Sequence, residues 1–330
     1  MRAPFAGSRQ PEASSPMPTA FVSHSDCSRH DTGWAHPEHQ GRLPALVRAV
    51  YRDLPALHGH LLDVEARPAT AAELGLVHTA RHVEAVRAAA ARARAAGAPV
   101  ALYEGMAGGP VVSAASWAAA LAAGGTALTG VDAVLDGRAR NAFCSARPPG
   151  GDAYADGAAG HSLFNHVALA AAHLRKRGVR RLLVAHWGGG YRGTLALLGG
   201  DAEVRLVLLP NASPAASVLP STLHLARSPA GADGGPVLAA FESALREVMA
   251  SFAPEFVLLG AGFDLLASDP SGGASLQPRD YYRLTLAVQR VADACCRGRL
   301  VSVLEGGYDP AGTGHAVVQH LRALCRLPAA

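Results

Sequence analysis

The side chains in this sequence best suited to chemistry are Asp152, His161, His186, Asp264 and Tyr308. Carboxylate and imidazole groups are the types that ligate zinc, and they also move protons as general acids and bases. A tyrosine hydroxyl adds a hydrogen-bond donor for a developing oxyanion. One member of the set sits awkwardly. His186 adjoins Trp187 at the end of an apolar run, where neighbouring side chains take opposite faces, so its imidazole is expected to point away from the pocket. His24, His30 and His39 lie near one loop and read as surface histidines rather than a second metal site. Gly188-Gly189-Gly190, followed by Tyr191-Arg192-Gly193-Thr194, lacks the lysine and spacing of a phosphate-binding loop and the GxGxxG order. A flexible triple-glycine turn is the expectation there.

These residues fall on the connections of an alternating pattern. Short apolar runs at Ala20–Ser23, Ala142–Ala146, Arg181–Ala185, Arg205–Leu209, Phe256–Gly260 and Leu300–Leu304 are bounded by charge or glycine, as strands covered on both faces are. Helical periodicity fits Leu43–Leu54, Thr79–Ala96, Ser113–Leu135, Leu163–Arg175, Val237–Ala250, Pro278–Cys296 and His315–Leu324. Gln277-Pro278 with Asp280 is a good start signal for the long helix near the end. Strand–helix–strand repetition predicts an α/β protein with a parallel sheet between helices and ligands bound beyond the carboxyl ends of its strands. The segments Arg147–His161, His186–Thr194, Pro210–Ser221, Ala261–Gly273 and Glu305–Pro310 are therefore where function is expected.

Four of these segments, and one nearer the start of the chain, look familiar. Gly33-Trp34-Ala35-His36-Pro37-Glu38 with Arg42, Arg147-Pro148-Pro149-Gly150 with Leu163-Phe164-Asn165, and Gly193-Thr194 come first in chain order. Ala261-Gly262-Phe263-Asp264 with Asp269-Pro270, and Glu305-Gly306-Gly307-Tyr308, complete the set. In order and spacing they resemble the histone deacetylase and acetylpolyamine amidohydrolase superfamily, across residues 20 to 325. The resemblance implies a single-domain arginase-deacetylase fold with an eight-stranded parallel sheet. It also implies a zinc ion held by two aspartates and a histidine, a histidine pair that moves protons, and an oxyanion tyrosine.

Several residues depart from that pattern. Gly151 and Asp152 stand where the histidine pair belongs, and Trp187 and Gly189 fall, by counting, on the first two zinc-ligand positions. Asp264 keeps the third ligand position and Tyr308 the oxyanion position. His161 replaces the usual channel phenylalanine, and no substrate-orienting aspartate is found in Gly105-Met106-Ala107-Gly108-Gly109. A catalytic zinc takes about three protein ligands. The resemblance together with these losses implies a pseudoenzyme without a resident cofactor, whose ligand is an unknown protein partner or a small acylated molecule. The alternative is a hydrolase with zinc and a rewired site, using Asp152, His161 and Tyr308, with His186 and Asp264 as possible ligands. Trp187 is expected to fill the vacated metal space, or else to stack on a ligand. Arg192 is expected to form a buried ion pair with Asp264. Gly306 and Gly307 are expected to make a tight turn, with Tyr308 packed over the sheet end or at the oxyanion position, and His161, Trp187, Gly189, Arg192 and Gly307 are expected to line the pocket.

Bulk composition excludes other classes. Hydrophobic residues at 49% and charged residues at 17% of 330 fit a packed chain rather than a disordered one. The net charge is +4, and the one basic cluster, Arg175 to Arg181, has no aromatic residues beside it, so nucleic acid is not indicated. Five cysteines without CxxC spacing exclude a disulfide framework and a cysteine zinc site, and a cytoplasmic protein is expected. Residues 1–18 read as a disordered tail without a signal-peptide core, followed by a deacetylase-like domain over 19–330. The uncharged run Val111–Val131 reads as a buried helix rather than a membrane span, because alanine and glycine dominate it. Homo- or hetero-oligomer formation, including pairing with an active paralogue, is left open.

Overall fold

Runs of valine, leucine and alanine with little charge form strands here because helices cover both faces of the sheet. The computed structural model describes residues 17–105, 108–210, 222–226, 233–271 and 275–330. Residues 1–16 of the expected tail, and Met106, Ala107 and most of the Pro210–Ser221 segment, lie outside the described residues. In chain order the strands are β1 (Thr19–Ser23), β2 (Leu61–Glu65), β3 (Val100–Ala101), β4 (Val111–Val112), β5 (Asn141–Cys144) and β6 (Ala153–Tyr154). They continue with β7 (Gly157–Ala158), β8 (Leu182–Trp187), β9 (Val204–Leu209), β10 (Leu223–Leu225), β11 (Phe256–Ala261) and β12 (Leu300–Leu304). Eight of them form one sheet in the order β10-β9-β8-β11-β12-β5-β1-β2, and every pairing is parallel. The remaining four make two small antiparallel pairs, β3 with β4 and β6 with β7.

The eight-stranded sheet is as expected, with two strands that periodicity did not predict. Both β2 and β10 are sheet edges. Edge strands are covered less fully and keep polar residues, as Asp63 and Glu65 do in β2, so they lack a continuous apolar run. Strand β8 also runs two residues past its expected end at Ala185. That extension matters for the site below.

The helices start where chemistry caps them. Thr79 accepts from the N–H of His82 at 3.2 Å, and Asp280 accepts from the N–H of Gln277 at 2.9 Å ahead of Pro278–Cys296. The uncharged segment forms the helix Ser116–Leu135, with 72% of its most apolar stretch buried. Its glycines serve close packing. A Cβ on Gly125 would collide with the carbonyl oxygen of Arg67 and lie 2.9 Å from the nitrogen of Ala69, and one on Gly130 would lie 2.6 Å from Cys144 Sγ. Overpacked positions of this kind cost about 1–3 kcal/mol. Gly125→Ala is accordingly expected to lower the urea midpoint by that amount of stability, with an unchanged denaturant slope. A midpoint equal to the parent's would show that the helix can move aside.

Candidate functional site

The carboxyl ends of β5, β8, β11 and β12 are neighbours in the sheet, so the loops leaving them converge. Beyond them lies a cavity of about 190 Å³ lined by residues including Asp152, His161, Arg192, Asp264, Glu305 and Tyr308. Gly189 and Gly190 line it too, whereas Trp187 and Gly307 do not.

Carboxylates organise these loops by accepting backbone N–H groups. Asp264 Oδ2 accepts from Gly189 at 2.7 Å, and Oδ1 has no partner. Glu305 Oε2 accepts from Gly150 at 2.8 Å and Gly151 at 3.0 Å, while Oε1 is unbonded. Asp152 Oδ1 accepts from Arg192 at 3.0 Å. Burial disfavours the charged forms, pushing Asp264 up to about 6 and Glu305 up to about 8, and raising Asp152. Two rings build one wall, His161 lying edge-on to Tyr308 at 5.2 Å, and His36, outside the lining, lies edge-on to His161 at 4.7 Å. Burial lowers His161 to about 4, so this imidazole is neutral at pH 7. The Arg42 guanidinium lies over the Tyr308 ring at 4.9 Å and donates to the carbonyls of Gly307 at 2.6 Å and Glu305 at 2.7 Å.

Three expectations need correction. Trp187 does not fill the space beside Asp264. The two extra residues of β8 alternate across the sheet, and the fully buried indole turns into the core against Phe241, Tyr281 and His320, with ring centroids 5.9, 6.2 and 5.9 Å away. Arg192 and Asp264 form no ion pair. The Arg192 side chain is exposed, where water solvates it, and its backbone N–H caps Asp152 instead. Gly307 is a turn residue at φ +118° whose Cβ would lie 2.7 Å from Thr313 Oγ1, so it shapes the backbone behind the cavity.

His186 lies beneath the cavity, not on its wall. The ring packs across Gly260, and a Cβ on Gly151 would lie 3.3 Å from its Nε2 and collide with the Gly190 carbonyl. Both ring nitrogens lack partners, and burial lowers it to about 4. His161, His186, Asp152 and Asp264 are not brought together as ligands. Among the described residues no group of three or more His, Cys, Asp or Glu side chains is placed to hold a metal ion. The lining role of Glu305 was missed, although a glutamate closing an apolar strand run was the signal for it.

The sequence matches the family described as the histone deacetylase domain over residues 36–195 and 221–324. The chain belongs to the histone deacetylase family. It is 31% identical to "Polyamine deacetylase HDAC10" of Homo sapiens over 95% of this chain and 49% of that protein. It is 28% identical to "Histone deacetylase 15" of Arabidopsis thaliana, over 83% and 50% of the two chains. A "Probable deacetylase" of Archaeoglobus fulgidus is 25% identical over 90% of this chain and 83% of its own length. The chain thus spans about half the length of the first two relatives. The solved HDA15 HD domain superposes with a TM-score of 0.83 at 24% identity, covering 95% of this chain and 90% of that one, which establishes the fold.

A buried ion cluster lies behind the site. Glu38 Oε1 accepts from Arg42 Nη1 at 2.7 Å and from Arg147 Nε at 2.8 Å, and all three side chains are buried. Two guanidiniums hold the Glu38 carboxyl low despite burial, which by itself would raise it. Removing one partner strands buried charge, so Glu38→Ala should lose about 3–5 kcal/mol of stability in chemical denaturation. A loss under about 1 kcal/mol would mean the arginines find other partners.

Buried histidines set the pH response. Burial lowers His30, His78, His166 and His186 to about 4 and His320 to about 3. Below pH 6.5 the unfolded chain takes up protons that these folded imidazoles refuse, so stability falls as pH drops from 6.5 toward 4. Asp264 and Glu305 are shifted the other way and oppose this, but they are fewer. The expected result is a lower urea midpoint at pH 5 than at pH 7. An unchanged or higher midpoint at pH 5 would contradict neutral burial.

Proposed function

We propose that this histone deacetylase family protein does not carry out zinc-dependent deacetylation and acts by binding a ligand or a protein partner. Trp187 carries the reading: the side chain at the first zinc-ligand position is an indole packed in the core, where it offers the cavity no donor. At the second position Gly189 supplies only a backbone N–H, and that group caps Asp264, the remaining carboxylate. The residues present do not fit a zinc ion. Gly151 leaves one place of the histidine pair without a side chain, and the Gly190 carbonyl occupies the room its Cβ would need. Metal, base and oxyanion donor act as a unit in such reactions, so losing two of them removes far more than their separate shares. What the chain keeps is the cavity, its aromatic wall and the Arg42 clamp on the Tyr308 turn. Five free cysteines support a cytoplasmic setting.

The test combines metal analysis with turnover. Purified, dialysed protein is expected to carry far less than stoichiometric zinc and to show no hydroxamate-sensitive hydrolysis of an acetyl-lysine fluorogenic substrate, even with zinc added. Tightly held zinc together with hydroxamate-inhibited turnover would overturn the proposal in favour of a rewired hydrolase using Asp152, His161 and Tyr308.

A further inference from the structure

Among the described residues the lining of the cavity carries three carboxyl groups and one basic side chain. Arg192 is exposed and hydrogen-bonds Asp152 through its backbone N–H; its charge favours the ionised form of Asp152, and Arg42 beside Tyr308 does the same for Asp264 and Glu305, yet neither guanidinium donates to these three carboxyls. Asp264 is 3% exposed and Glu305 1%, and each retains a carboxylate oxygen with no hydrogen-bond partner. A buried acceptor without a donor is costly, so a group bringing donors and positive charge would be held there.

The geometry limits what that group is. A divalent metal requires its ligands to converge on one point, and here no three do so. A primary ammonium carries three N–H donors on a slender stem and can serve oxygens too far apart for one coordination sphere. The wall of His161 and Tyr308, with ring centroids 5.2 Å apart, offers aromatic surface for a cation or its methylene stem. A volume of about 190 Å³ is also smaller than the roughly 300–1,000 Å³ of pockets for drug-sized ligands, which suits a linear chain end better than a ring system.

We infer that the cavity binds the free primary ammonium group of a linear alkylamine in preference to its N-acetylated form. This rests on the metal-free reading above. Acetylation removes the charge and leaves a single N–H, so the acyl amide brings one donor where the ammonium brings three and a positive charge.

The experiment uses the full chain, dialysed against a chelator and checked for zinc, with n-butylammonium chloride and N-butylacetamide as probes of one stem. Binding is followed by calorimetry or ligand-observed NMR. The ammonium is expected to bind at least roughly tenfold more tightly than the amide, and Asp152→Asn to weaken it by a similar factor while leaving thermal unfolding near the parent's. Glu305→Gln gives a second variant, because the amide oxygen can still accept from Gly150 and Gly151. Metal-free protein that binds neither probe, binds the amide as well as the amine, or holds the amine equally in parent and both variants overturns the inference alone. Stoichiometric zinc surviving the chelator overturns the metal-free reading, which is a separate result.

Discussion

The carboxyl edge of the sheet is held together by carboxylates accepting backbone N–H groups from loops that follow different strands. Asp264, after β11, holds Gly189 after β8; Glu305, after β12, holds Gly150 and Gly151 after β5. Asp152 holds Arg192, and Asp269 Oδ2 accepts from the N–H of Tyr308 at 2.6 Å. Each bond ties two loops together and satisfies a donor that a strand end would otherwise leave unpaired. Where the acceptor is ionised the bond is stronger than a neutral one, which offsets part of the cost of burying the charge, whereas Glu305, pushed up to about 8 by burial, accepts as a neutral acid at pH 7. The cavity is the space these four links leave between the loops.

Behind that edge, a second set of charges fixes the first loop of the chain to the last. Arg147 Nη1 donates to the carbonyl of His30 at 2.6 Å, while Arg42 reaches the carbonyls of Glu305 and Gly307. Glu38 joins the two guanidiniums. A buried ion cluster is weak evidence for net stability, because desolvation consumes much of the attraction. Its consequence here is positional. Residues 265 apart in the chain are fixed to each other, and Tyr308 keeps its place above the cavity through contacts that involve no metal.

How much of this was legible in the sequence depended on burial. The six central strands read clearly because both faces are covered and the runs are unbroken. The edges β2 and β10 did not, since among the described residues one side of each strand has no neighbour and polar residues such as Asp63 are tolerated there. Asp152, His161, Asp264 and Tyr308 were found by motif, and all four line the cavity. Trp187 was placed at the right strand end but with the wrong consequence, because two further residues of strand decide which face it takes. The Arg192–Asp264 pairing was inferred from closeness to a motif. Closeness in sequence cannot say that Arg192 turns to water while a backbone amide reaches Asp264 first.

The glycines show how tightly the loops of the site close on one another. A Cβ on Gly188, at φ +93°, would collide with Asp264 Oδ1, and one on Gly262 would lie 2.7 Å from the same atom. A Cβ on Gly151 would collide with the Gly190 carbonyl. The loops after β5, β8 and β11 therefore close onto volume that side chains would need, the obstacle being backbone at Gly151 and the buried Asp264 carboxyl at Gly188 and Gly262. Such contacts yield only if whole loops move, and the carboxylate links hold those loops in place. Placing a histidine at position 151 or a carboxylate at position 187 would therefore meet backbone in the first case and, in the second, expose a core pocket built around an indole. On the proposed reading, the same packing that keeps the cavity open for a ligand also keeps the older chemistry from being restored one residue at a time.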